Sequence, residues 1–158
     1  MRNHKEKGFS LIELLIVVAI ILIIAAIAIP NLLRSKMAAN EASAVASMRT
    51  LNTTIVAYST TYSTDPPTIA ALGPIASGGT PSSTTADLID SLLASGTKSG
   101  YTFTYTPGGT TPVTSYSILA VPTSTSTGQR KFYTDQSGVI RQTTDGSTPT
   151  ASSTPIGG

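Results

Sequence analysis

The 158-residue chain contains no cysteine. A disulfide framework and a thiolate metal site are both excluded, so stability has to come from packing alone. Charge is scarce as well: only 11% of residues are Asp, Glu, Lys or Arg, against ~25% in an ordinary soluble protein. Histidine occurs once, at His4. The formal net charge is only +2, weak grounds for a nucleic-acid partner. The length suffices for one domain with a modest core plus one long element.

What the chain has in excess is a single apolar run, "KGFSLIELLIVVAIILIIAAIAIPNLL", beginning at Lys7. Every side chain from Leu14 to Ile29 is apolar, which makes the run a candidate membrane span. Glu13 stands at its start. The first basic residue downstream is Arg34, roughly 30 Å away along a helix. An acid in a bilayer costs on the order of 2.5–3.5 kcal/mol at mid-membrane and less near an end. A secretory signal would be shorter and would carry no such acid, although Ala26 and Ala28 offer small residues for a cleavage site. A plain membrane anchor is the other ordinary reading.

The segment "KGFSLIELLIVVAIILIIAAIAIP" resembles the N-terminus of type IV pilins and of the related type II secretion pseudopilins. In that family a short basic leader ends in Gly, Phe follows, and Glu stands four residues further on; here these are Gly8, Phe9 and Glu13. The match covers roughly the first 30 residues and continues loosely to Tyr62. It implies that a prepilin peptidase cuts between Gly8 and Phe9 on the cytoplasmic side, and that the new Phe9 amine is N-methylated. The apolar segment is then retained. The resemblance also supplies a partner for Glu13: the Phe9 amine of a neighbouring subunit in a fibre, which fixes axial register. The chain's own amine, one helical turn away, is the alternative. Removing residues 1–8 takes away Arg2, Lys5, Lys7 and Glu6, leaving seven basic residues against seven acidic ones. It also removes His4, which excludes a His-based triad, a haem ligand and a His-ligated metal from the processed chain.

Between Leu32 and Tyr62 there is neither Gly nor Pro, and Val45, Met48, Leu51, Ile55, Tyr58 and Tyr62 recur at three- and four-residue spacing. That is one apolar helical face, expected to be covered by a globular head. A single helix from Phe9 to Tyr62 would be about 80 Å long, its first half spanning a bilayer core of ~30 Å. Pro30 breaks the helix's hydrogen bonding, at ~3 kcal/mol or more. Either it makes a static kink or, as the resemblance implies, the segment before it loses helicity in the fibre. Relatives commonly have Gly about eight residues before this proline, where this chain has Leu22.

"STDPPT" ends the helix, and "TIAAL" reads as a short turn before Gly73. "TTADLIDSLLASG" predicts a short amphipathic helix with Thr85 as N-cap, Ala86, Ile89, Leu92 and Leu93 buried, and Gly96 at its end. "GYTFTYT" and "TSYSILAV" are strands, the first with Tyr101, Phe103 and Tyr105 on one face. "RKFYTDQSGVIRQT" predicts a hairpin turning at residues 135–138. The expected fold class is α+β: a long N-terminal helical spine, membrane-spanning in its first half, packed by a small antiparallel sheet head, as in the type IV pilin fold. The expected divisions are a leader at 1–8, an assembly helix at 9–30, its amphipathic continuation at 31–62, a head at 63–146 and a flexible tail at 147–158.

No enzymatic constellation emerges, so no catalytic residue, cofactor or metal is expected. Asp87 and Asp90, one helical turn apart, read as a solvated face. Asp65, Asp135 and Asp145 fall in turns, where aspartate is common. "NTT" at Asn52 matches an N-glycan acceptor but lies on the packed helix; the Ser/Thr/Pro loops are candidates for O-glycans. Lys98, Arg130, Lys131 and Arg141 would have to converge to bind DNA. Phe9, Tyr58 and Tyr62 are too widely spaced for continuous stacking along one spine. The resemblance implies a structural subunit of a type IV pilus, stored in the inner membrane and then displayed as an extracellular homopolymer. Its partners would be copies of itself, the prepilin peptidase and the inner-membrane assembly machinery. A pseudopilin of a short periplasmic export fibre and a minor adhesin-like pilin are the alternatives.

Overall fold

The computed structural model describes residues 8–109 and 112–157. The leader residues Arg2, His4, Lys5, Glu6 and Lys7 lie outside the described residues. Helix α1 (Leu11–Tyr62) is 52 residues long and contains Pro30. The chain divides into two compact units, with the boundary between Ser35 and Lys36.

In the first unit every large apolar side chain from Leu11 to Leu33 is exposed. A helix that is apolar all round is built for lipid or for other helices rather than for water. It is long and apolar enough to cross a membrane. Helical structure continues through both Leu22 and Pro30. The missing N–H of Pro30 leaves the Ala26 carbonyl without its helical donor.

The second unit begins at Lys36. A 3₁₀ turn (Ile69–Leu72) and a one-turn helix α2 (Ser91–Ala94) lead into strands β1 (Thr97–Lys98), β2 (Tyr101–Gly108), β3 (Ser115–Pro122), β4 (Lys131–Asp135), β5 (Arg141–Thr143) and β6 (Thr154–Pro155). The strands pair antiparallel in sequence order. Period-2 patterning sets the register: Phe103 of β2 faces Ala120 of β3, and Ala120 faces Phe132 of β4. The sheet's inner face meets Ala44, Met48, Leu51, Ile55 and Tyr58 of α1 in one cluster, closed by Leu72, Ile89 and Leu93. Each of the buried Met, Leu and Ile side chains contributes roughly 1.5–3 kcal/mol relative to exposure.

The β4–β5 hairpin turns where the sequence places it: Gly138 adopts φ +73° and donates its N–H to the Asp135 carbonyl at 2.9 Å. The residues before it differ from expectation. The helix expected from Thr85 is the single turn α2, capped by Asp90, whose carboxylate accepts the Leu93 N–H at 3.0 Å. Asp87 is left-handed at φ +56°, and its N–H bonds the Gly73 carbonyl, so residues 86–89 run alongside the 3₁₀ turn instead of coiling. Ala86, Ile89 and Leu93 are buried, whereas Leu92 is 62% exposed. The C-terminal stretch, which lacks periodicity, adds β6 against β5, with Pro149 buried and Ile156 packed on the core.

Candidate functional site

Gly8, Phe9 and Ser10 precede α1 and are exposed, Phe9 to 82%. A side chain at Gly8 would meet nothing within 4 Å, so no contact among the described residues demands glycine there. Ser10 is the helix N-cap: its carbonyl accepts the Leu14 N–H at 3.3 Å. The Glu13 carboxylate reaches back and accepts the Ser10 N–H at 2.8 Å. Residues Ser10 and Glu13 thus have the spacing of a capping box, with the Glu half formed.

This bond changes the account of the acid. Glu13 has a partner inside its own chain, a backbone donor that would otherwise be an orphan at the helix start. The Ser-x-x-Glu spacing, visible in "SLIE", is the signal for it. A carboxylate offers two oxygens and about four lone-pair sites, and the Ser10 bond uses one. Capacity for an amine therefore remains after the cap is made.

Beside the sheet, Glu41 of α1 is a buried carboxylate, and one the sequence does not reveal. It accepts the N–H groups of Gln129 and Arg130 at 2.9 and 3.1 Å and the Arg130 Nε–H at 2.7 Å. Burial pushes its pKa up, but these donors outweigh burial and hold it below the ordinary glutamate value. Asn40 adds a bond to the Thr127 carbonyl at 2.9 Å, so residues 127–130 are tied to α1 at two adjacent positions.

The remaining candidates are accounted for by local structure. Asp90 caps α2 and pairs with Lys98 at 2.7 Å, while Asp87 lies outside the helix, so they form no carboxylate pair on a helix face. Lys98 is held by Asp90, Arg130 by Glu41, Lys131 by the Gly146 carbonyl and Arg141 by the Ser153 carbonyl. Asn52 donates to Thr134 and accepts from Tyr116, so its amide joins helix to sheet. The close aromatic pairs, Tyr58–Tyr62, Tyr101–Phe132 and Tyr105–Tyr116, lie in the second unit. Among the described residues no group of three or more His, Cys, Asp or Glu forms a metal cluster.

A family model, the prokaryotic N-terminal methylation motif, matches residues 3–29, which include Gly8, Phe9 and Glu13. The Type IV wide pilus major component PilA4 of Thermus thermophilus is 63% identical over 41 residues, covering 26% of this chain and 30% of that protein. This is a type IV pilin N-terminus. The Type IV major pilin protein PilA of Myxococcus xanthus is 47% identical over 51 residues, covering 32% of this chain and 23% of that protein. The chain thus matches less than a third of either pilin's length. No solved structure matches it. Joined to the pilin N-terminus are the long helix and small antiparallel sheet of an α+β, pilin-like fold.

Proposed function

We propose that the chain is the structural subunit of a type IV pilus, without a reaction of its own. In this reading residues 1–8 are a leader, cut from Phe9 by a prepilin peptidase, and the Phe9 amine is then methylated. The span from Leu11 to Leu33 holds the subunit in the inner membrane; 23 residues of helix reach about 34 Å, enough for a bilayer core of ~30 Å. Inner-membrane assembly machinery extracts it into a homopolymer whose core is the bundled apolar helices, displayed outside the cell for adhesion or motility.

The observation that carries the reading is the exposed Gly8–Phe9 bond next to an apolar span, Leu11 to Leu33, whose one acid, Glu13, is held at the helix start. The Ser10 bond offsets part of the cost of that acid in the bilayer. A neighbour's Phe9 amine supplies the cation that completes it, so the unpaired remainder favours extraction and sets register. The alternative pairing, with the chain's own amine, serves the membrane stage.

Mass spectrometry and electron microscopy of material sheared from cells test the proposal. Long fibres containing a chain that begins at N-methylated Phe9 are expected. A processed chain that stays with the envelope would point to a pseudopilin or a minor pilin, and a chain still beginning at Met1 would overturn the processing step.

A further inference from the structure

The outward side of α1 in the second unit is unpartnered. Ala42, Ala46, Arg49, Thr53, Val56 and Thr60, spaced three and four apart, are all exposed. The threonines are less polar than they read. Thr53 Oγ1 donates to the Arg49 carbonyl at 3.0 Å and Thr60 Oγ1 to the Val56 carbonyl at 2.8 Å, so their protons are used inside the helix. What remains outward is methyl surface, Val56 at 61% exposure, and a single cation, Arg49. Among the described residues Arg49 has no ion pair or side-chain hydrogen bond.

A second surface of the same unit has the opposite charge. Leu92 is 62% and Leu88 37% exposed, because residues 86–89 are not helical and Ala86, Ile89 and Leu93 are the ones that enter the core. Next to Leu88 stands exposed Asp87, whose carboxylate has no partner among the described residues, unlike Asp90 four positions before Ala94. One face is apolar with one free cation; the other is apolar with one free anion.

We propose that these two faces dock on each other between copies of the chain, Arg49 meeting the partner's Asp87 while Val56 packs on the partner's Leu88 and Leu92. The inference rests on the homopolymer reading and specifies the head-to-head contact within it. A second copy is the occupant because the complement of each face is present on the chain itself. An anionic lipid surface would attract Arg49 but be repelled by Asp87. As proposed, the contact is made once per pair of copies and is therefore heterologous, which propagates from copy to copy as a filament needs. A reciprocal contact would close a two-fold dimer, and the cross-linked variant would then stop at dimers.

The absence of native cysteine gives a clean test in cells expressing the full chain. A variant carrying both Val56→Cys and Leu92→Cys should form an oxidation-dependent ladder of cross-linked chains, since a disulfide needs Cα atoms within about 7 Å. Each single-cysteine variant should stop at dimers or monomers. Independently, Arg49→Glu or Asp87→Arg alone should lower the yield of sheared fibres about tenfold, as a like-charge contact weakens association. The double swap should restore it to within about twofold. Thermal unfolding of the purified variants separates this from misfolding: Arg49→Glu should melt with the wild type, whereas Asp87→Arg should melt slightly lower because position 87 is left-handed.

Fibres without a ladder and without rescue would overturn the docking and leave the pilus reading standing. A ladder without fibres would support the docking and overturn the surface pilus. Neither ladder nor fibres would overturn both.

Discussion

Arg130 donates its Nε–H to Glu41 Oε2 at 2.7 Å, joining two residues 89 positions apart. The same carboxylate takes two backbone N–H groups from residues 129 and 130, so one side chain satisfies three donors of the segment between β3 and β4. Arg130 in turn lies over the Phe132 ring, 5.6 Å from its centroid, and bonds Gln142. The pair orders a segment that has few apolar anchors of its own.

Replacing Glu41 by Gln removes the charge and keeps one acceptor oxygen. The Arg130 side chain is 39% exposed, so the cost is nearer ~1–2 kcal/mol than the 3–5 of a fully buried pair. The pH dependence has a definite sign. Because the folded-state pKa of Glu41 is lowered, its contribution is complete above the unfolded-state value and is lost as pH falls through the folded one. Thermal unfolding of the detergent-solubilised chain across that acid range should flatten in Glu41→Gln; an unchanged slope would refute the role.

Gly128 is packed against Tyr101. A Cβ there would come within 2.9 Å of two ring carbons and closer still to the hydroxyl, which bonds the Arg130 carbonyl. Gly128→Ala therefore has to displace a fully buried ring, and a loss of about 1–3 kcal/mol is expected. A melting temperature equal to that of the wild type would mean that the segment relaxes freely.

Two adjacent leucines separate core from surface. Leu93→Ala should cost about 2–5 kcal/mol, since Leu93 is 1% exposed. Leu92→Ala should change stability by no more than about 0.5 kcal/mol. Equal losses in denaturant unfolding would restore the longer amphipathic helix expected from sequence.

For Glu13, the cap it makes with Ser10 can be separated from the amine pairing proposed for it. Glu13→Gln keeps an acceptor for the Ser10 N–H but has no charge for an amine, whereas Glu13→Ala loses both. Both variants should be cleaved and remain in the membrane, and both should enter fibres on the order of tenfold less than co-expressed wild type, as loss of a charge pair predicts. Normal entry of Glu13→Gln would leave the helix cap as the only role of the acid.

The elements with strong local periodicity were legible: the stripe from Met48 to Tyr58, the alternation of Tyr101 and Phe103, and the turn ending at Gly138. The α2 region was misread because Ala86, Ile89 and Leu93 fit helical spacing while the backbone of 86–89 is recruited by residues 71–73, a pairing that no local pattern encodes. β6 was missed for the same reason, since two residues against β5 carry no period. Glu41 carries no sequence signal, since only the fold brings Gln129 and Arg130 to it. The Ser10–Glu13 bond is the opposite case, since its three-residue spacing in the sequence is the signature of a capping box.

The sheet offers little to further growth at its margins. Its outer strands, β1 and β6, have two residues each, and β6 ends in Pro155. Beyond Thr102, the last residue paired to β1, β2 runs on to Pro107, which has no N–H to offer. Short, proline-marked edges give a neighbouring sheet little to pair with. In the homopolymer proposed above, subunits held at very high local density would otherwise be open to fusion through their strands into an amyloid-like mass. Here the head leaves side-chain surfaces, not backbone, as the means by which one copy can recognise the next.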